Sequence, residues 1–153
     1  MSTIEWVAKA GGQVPRDESG KLDPNRYNGG KWTFPMEDGT GYVFITWAEE
    51  TFYDKDSQTR FSIVLEENGA CMRGEEGAPR LAENKVRQKA VHDIIENDKC
   101  FRIILRKGKK VENKAPTKLK TDFAFTGNEI VKTENGVYAA IITGKLPLKP
   151  LAS

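Results

Sequence analysis

Residues 41–47, GYVFITW, constrain the fold more than any other stretch. Along a strand, successive side chains point to opposite faces. Val43, Ile45 and Trp47 then share one face, and Tyr42, Phe44 and Thr46 the other. Both faces carry apolar bulk, so this strand belongs in the interior of a sheet.

The neighbouring segments extend the pattern. Residues 60–69, RFSIVLEENG, alternate again, with Phe61, Ile63 and Leu65 expected inward and Asn68-Gly69 as a tight turn. ACMR at 70–73 is the expected returning strand, and the acidic EETFYDKD at 49–56 the connection between the first two. Pro79 suits a helix start, because the first turn does not need its missing N–H. The breaker-free run that follows predicts one main helix over 80–96, ending near Asn97. Val86, Ala90, Val91, Ile94 and Ile95 fall on one wide apolar stripe. Arg87 projects into that stripe, its stem covering apolar surface while its head reaches the edge.

CFRIILR at 100–106 reads as the next strand, with Phe101, Ile103 and Leu105 inward and Arg102 and Arg106 on the opposite face beside Ile104. Short strands near 122–126, 129–133 and 137–143 follow as a meander, with Pro147 and Pro150 ending the ordered chain in a tail over 145–153. At the other end, residues 1–10 suit a short strand or helical turn. Residues 11–41 hold seven glycines and three prolines, the chemistry of a long loop, interrupted by a short strand at KWTF, 31–34.

Turn-linked strands and one helix predict an α+β class: a mostly antiparallel curled sheet or partly open barrel of six to seven strands. Counted from Tyr42, the helix falls between the third and fourth strands, as in an oligonucleotide-binding barrel. The strands before Tyr42 and the meander after Thr121 lie outside that scheme. A chain of 153 residues is most simply one domain, 1–153, able to bury roughly two thirds of its unfolded surface.

Charge is distributed unevenly. Residues 1–76 carry 8 Lys/Arg against 14 Asp/Glu, and residues 77–153 carry 16 against 8. Within 99–120, nine basic residues face the single acid Glu112. Such a block repels itself unless it is solvated or matched by a negative partner. Lys107, Lys109, Lys110, Lys114, Lys118 and Lys120 are point charges suited to phosphates. Arg87, Arg102 and Arg106 carry the fork geometry for bidentate contacts. Among nine aromatic residues between positions 27 and 61, Trp32, Phe52 and Tyr53 stand in loop-like surroundings and are the candidates for stacking on bases. These features predict a nucleic-acid-binding module, for DNA in the first instance, without catalysis of its own. Such a module would serve as a recognition domain of a larger DNA-processing or modified-DNA-reading nuclease. The plainer account of the same residues is a solvated basic loop neutralised by the acidic half, with the aromatics packed in the core.

Two alternatives use other features. The opposed charges of the two halves would serve a protein–protein or self-associating interface. A small Mg²⁺-dependent nuclease would use Asp98 with Glu112-Asn113-Lys114, although KKVENKAP has the character of a loop where that motif rides a strand. Glu83-Asn84-Lys85 repeats the tripeptide within the helix. Nothing else carries chemistry. His92 is the sole histidine, GTGYVF lacks the third glycine of a dinucleotide loop, and GGKW lacks the hydroxyl residue of a phosphate loop. No cofactor or metal is implied. Cys71 and Cys100 have no metal-ligand spacing and read as reduced thiols. With no run of ~18 apolar residues and with Glu5 in a leader position, the chain is expected in the cytoplasm, away from membranes.

Overall fold

The computed structural model describes residues 2–27, 31–66, 81–108 and 118–149. Helix α1 spans Thr3–Lys9, followed by strands β1 (Thr33–Pro35), β2 (Gly41–Trp47), β3 (Thr51–Asp54) and β4 (Thr59–Leu65). Helix α2 spans Leu81–Asn97, followed by β5 (Cys100–Lys107), β6 (Lys118–Leu119), β7 (Phe123–Gly127), β8 (Glu129–Lys132), β9 (Tyr138–Ile142) and β10 (Gly144–Pro147). The class is α+β, with the described strands forming two mostly antiparallel sheets and no closed barrel.

Sheet one runs β1-β2-β5-β7-β10, with β6 also paired to β5; sheet two runs β3-β4-β9-β8. At the centre of sheet one, β2 and β5 pair in parallel, from Gly41 opposite Cys100 to Trp47 opposite Arg106. Parallel neighbours need a crossover, and the segment containing β3, β4 and α2 supplies it. The strands approach so closely at their start that a Cβ on Gly41 would collide with the Cys100 carbonyl. The chain leaves sheet one after Trp47, returns for β5 to β7, leaves again for β8 and β9, and rejoins it at Thr143, whose N–H donates to the Thr126 carbonyl at 2.9 Å.

GYVFITW is interior, as its two apolar faces require. Val43 and Ile45 pack with Val7, Ala10, Phe34, Met36, Ile104, Ala124 and Leu148, beneath α1. Phe44 packs on the other side with Val64, Leu65, Ala90, Val91, Ile94, Phe101, Ile103 and Phe125, between sheet one, sheet two and α2. Sheet one is therefore covered on both faces.

Several expectations need correcting. The segment 49–56 contains a strand, β3, paired antiparallel to β4, and the described residues form ten strands in two sheets where six to seven were expected. Residues 144–147 form β10 against β7, and Leu148 is buried, so the expected tail contributes a strand and a core residue. The expected strand at 70–73 lies outside the described residues. On α2, Val86 and Ile95 are exposed, while Asn84 and Arg87 join Ala90, Val91 and Ile94 on the buried side. In β4 the inward face carries Ser62 and Val64 in place of Phe61 and Ile63, and a register shift between Ile63 and Leu65 turns Leu65 inward as well. Size alternation misreads this face because hydroxyls satisfy one another across the sheets. Ser62 Oγ lies 3.1 Å from Thr46 Oγ1 and 2.9 Å from Thr51 Oγ1.

Arg87 is the largest polar exception in the interior, at 1% exposure. Its Nε donates to Thr33 Oγ1 at 2.7 Å, Nη1 to the Val64 carbonyl at 3.1 Å, and Nη2 to the Trp32 and Ile45 carbonyls at 2.9 and 2.8 Å. The guanidinium also lies over the Phe44 ring, 4.4 Å from its centroid. One side chain on α2 thus joins the chain just before β1, strand β2 and strand β4. One turn earlier, the Glu83 carboxylate accepts the Trp32 N–H at 2.8 Å.

A second tie joins the far end of α2 to sheet one. The Tyr42 hydroxyl donates to Asp93 at 2.5 Å, Lys99 pairs with the same carboxylate at 2.9 Å, and Asn97 donates to it at 2.6 Å. Hydrogen bonds from Tyr42, Lys99 and Asn97 hold the Asp93 carboxyl down at about 2, while burial and the Asp93 bond push the Tyr42 phenol up to about 12.

These ties give two expected outcomes. Arg87→Ala leaves buried carbonyls without donors and lowers the unfolding free energy by ~3 kcal/mol or more, read from chemical denaturation; Arg87→Lys, lacking the fork, does not restore it. For Asp93, a carboxyl depressed by folding contributes stability above its ordinary value of 3.8, which is lost as pH falls toward about 2. Asp93→Asn is therefore less stable than the parent at neutral pH, and the gap narrows across that acid window.

Candidate functional site

The β5–β6 ribbon places the basic residues. Alternation along β5 sends Leu105 into the core shared by both sheets and Ile104 beneath α1. Lys107, two residues past Leu105, takes the Leu105 side. On β6, Leu119 packs beneath α1, so Lys118 and Lys120 take the opposite side. Lys107 and Lys118 are direct cross-strand partners, and the Lys120 N–H continues the ladder to the Leu105 carbonyl at 2.8 Å. Lys107, Lys118 and Lys120 thus share one face, and all three are exposed.

That face opens onto a cleft of about 350 Å³ between the β3 edge of sheet two and the β5–β7 part of sheet one. Phe52, Tyr53 and Arg60 line it from sheet two; Leu105, Lys120, Asp122, Phe123 and Phe125 line it from sheet one. The hairpin register sets Tyr53 opposite Arg60, on the inner face with Ser62. The Arg60 guanidinium lies 5.8 Å from the Tyr53 ring centroid and 5.5 Å from that of Phe125, spanning the gap between sheets. Phe123 and Phe125 meet edge to face at 4.9 Å, and Lys145 Nζ sits 4.5 Å above Phe123. Phe52 and Tyr53 keep 45% and 53% of their surface exposed.

Acids near this face are already engaged. Asp122 pairs with Lys149 at 2.9 Å, and the hydrogen bond from Lys149, aided by Lys120, lowers its pKa. Asp54, next to Tyr53, accepts from the Asp56 N–H and the Ser57 hydroxyl inside its own turn. Among the described residues, no carboxylate forms an ion pair with Lys107, Lys118, Lys145 or Arg60.

Of the residues expected to touch nucleic acid, Tyr53, Lys107, Lys118 and Lys120 come together here, while Phe52 borders the cleft with its ring against Phe61 at 5.9 Å on the outer face of sheet two. Arg87 does not, because its guanidinium is committed to interior carbonyls. Trp32 is only 5% exposed, lies against Trp47 at 5.0 Å and stands beneath the Arg106 guanidinium at 5.2 Å, so its ring is core. Arg106 is half-buried on the opposite face of β5, where burial depresses its pKa. Arg102, on that same side, donates to the Ala10 carbonyl at the end of α1 at 2.7 Å. Lys109, Lys110 and Lys114 lie outside the described residues, as do Glu112 and Cys71. Arg60, Lys145, Phe123 and Phe125 were missed by sequence reasoning. The available signal was the Phe-Ala-Phe alternation at 123–125; the proximity of Arg60 to it arises only from packing between sheets.

The residues weighed for other chemistry are dispersed. Glu83 is bound to the Trp32 N–H, Asp98 is exposed in a left-handed conformation just past α2, and His92 is exposed with its ring edge against Tyr138 at 5.8 Å. Among the described residues no three of His, Cys, Asp and Glu gather as metal ligands, and no helix is long and apolar enough to cross a membrane. Compared with protein-family models, curated proteins and solved structures, the chain gave no match.

Like charges directly opposite on paired strands are destabilising. Lys118→Glu replaces the Lys107–Lys118 repulsion with attraction, so it should raise the unfolding free energy by about a few tenths of a kcal/mol and move the denaturation midpoint up accordingly. An unchanged denaturant slope would show that the fold is the same.

Proposed function

We propose that the chain binds nucleic acid, DNA in the first instance, across the face shared by Lys107, Lys118, Lys120, Lys145 and the aromatic cleft. One observation carries the reading: cations unpaired among the described residues converge with exposed rings on a single surface, where the neighbouring carboxylates are already held by other partners. Lysine ammonium groups neutralise phosphates and displace condensed counterions, giving affinity without base identity. Rings at the rim offer π-faces to bases. The combination matches a ligand with a repeating negative backbone and flat apolar groups at short intervals. Residues from both sheets form the surface, so a ligand spanning it reads their relative placement.

Fluorescence anisotropy of labelled DNA and RNA oligonucleotides, followed across salt, tests this. Log K should fall linearly with log salt, and each lost phosphate contact should flatten the slope by ~0.7–0.9. Lys107→Ala with Lys118→Ala should therefore remove about 1.5 from the slope and weaken all sequences alike. A salt-insensitive affinity, or a double variant that binds with an unaltered slope, would overturn the reading.

A further inference from the structure

We infer that the cleft accepts one unpaired nucleobase, so that the domain holds single strands, or bases swung out of a duplex, in preference to paired DNA. The inference rests on the nucleic-acid reading above and names the form of the ligand. It begins with size. About 350 Å³ is near the small end of ligand pockets, suited to one heteroaromatic ring system with part of its sugar. A duplex groove presents only base edges, whereas these walls are built of ring faces and ring edges.

Chemistry narrows the occupant further. Tyr53 stands on sheet two and the half-buried Phe123 on sheet one, so a flat group entering between them meets aromatic surface from both sides, with Phe125 buried behind the Arg60 guanidinium. Arg60 supplies the polar component. Its guanidinium contacts the Tyr53 and Phe125 rings, yet among the described residues it makes no hydrogen bond and no ion pair. Guanidinium carries five N–H donors in a fixed plane and accepts nothing. A half-buried fork of this kind fits the acceptors on the edge of a base, such as guanine O6 and N7, and has no complement in an aliphatic group. Lys120 at the lining and Lys107 and Lys118 beyond it are placed for the phosphates on either side of the inserted nucleotide.

Within a duplex a base is stacked and paired, and extruding it costs free energy that an unpaired base does not incur. Stacking on one protein ring corresponds to roughly tenfold in affinity. The discriminating experiment compares four ligands of equal length: a single strand, the same strand with one central abasic site in an otherwise short oligomer, a fully abasic strand and a duplex. Each is titrated against the parent chain, Phe123→Ala, Tyr53→Ala and the Lys107→Ala/Lys118→Ala double variant. Expected are about tenfold tighter binding of the intact single strand than of the duplex or the fully abasic strand, and a similar loss on Phe123→Ala seen only with ligands that have bases. Tyr53→Ala, at an exposed position, should reproduce that selectivity if Phe123→Ala perturbs folding. Affinity for the intact single strand no greater than for the abasic and duplex ligands, with all of them still weakened by salt, would overturn base insertion while leaving phosphate binding in place. Absence of binding to all four would overturn both.

Discussion

The buried guanidinium of Arg87 is the interaction on which the rest of the arrangement depends. A charged group without water needs its donors matched, and here three carbonyls and one hydroxyl match them. Those acceptors come from three separate stretches: the approach to β1, the end of β2 and the end of β4. Hydrophobic burial alone would allow α2 to slide or rotate over the layer beneath it. Directional bonds to fixed carbonyls remove that freedom and set the spacing between the two sheets. The same restraint explains why Trp32 is core: its carbonyl accepts from Arg87 and its N–H donates to Glu83, so the backbone beneath the ring is held from both sides.

With that spacing fixed, the cleft follows from topology. Sheet one is filled on one side by α1 and on most of the other by α2 and sheet two. Coverage ends where β3 and β4 pass the ends of β5 and β7, because the chain crosses between sheets at Trp47–Thr51 and again at Thr143. The inner face of the β3–β4 hairpin tip therefore looks across at Phe123 and Phe125 without a layer between. The gap is lined by rings and a guanidinium where a closed core would carry interdigitated aliphatic chains. A Cβ on Gly127 would collide with the Ile141 carbonyl and the Phe101 ring, so the opposite end of β7 is shut while the Phe123 end is open.

Local periodicity made the central elements legible in the sequence. GYVFITW, the helix after Pro79 and CFRIILR stand where alternation and helical spacing placed them, because each has enough apolar residues to dominate its own pattern. The parallel pairing of β2 with β5 was not legible, since pairing partners are chosen by the whole fold and not by either strand. Faces were legible only where they were apolar. Ser62 is inside because Thr46 and Thr51 are there to meet it, and no inspection of RFSIVLEENG reveals them. The pattern gives Arg87 an apolar stem with its head reaching the edge of the stripe, yet the guanidinium is buried among interior carbonyls and the Thr33 hydroxyl. The candidate site was half visible: the lysines and the two exposed rings were marked, but the residues that turn them into a cleft are contributed by β4, β7 and β10.

The charge layout of β5 and β6 bears on what that face is for. A hairpin free of functional demand would gain from opposite charges at Lys107 and Lys118, and acids are abundant in the N-terminal half of this chain. Instead two ammonium groups oppose each other, a third follows at Lys120, and a fourth lies over Phe123 at Lys145. Mutual repulsion of this kind lowers the stability of the isolated fold slightly and would be relieved by the polyanion of the proposed function. Arg106 and Arg102, on the reverse face of the same strand, show the contrasting use of cations: each is half-buried, one over Trp32 and the other on the Ala10 carbonyl. One strand thus separates cations that build the protein from cations left facing outward. The division follows strand alternation, so shifting the register of β5 by one residue would exchange the two sets and remove the core and the basic face together.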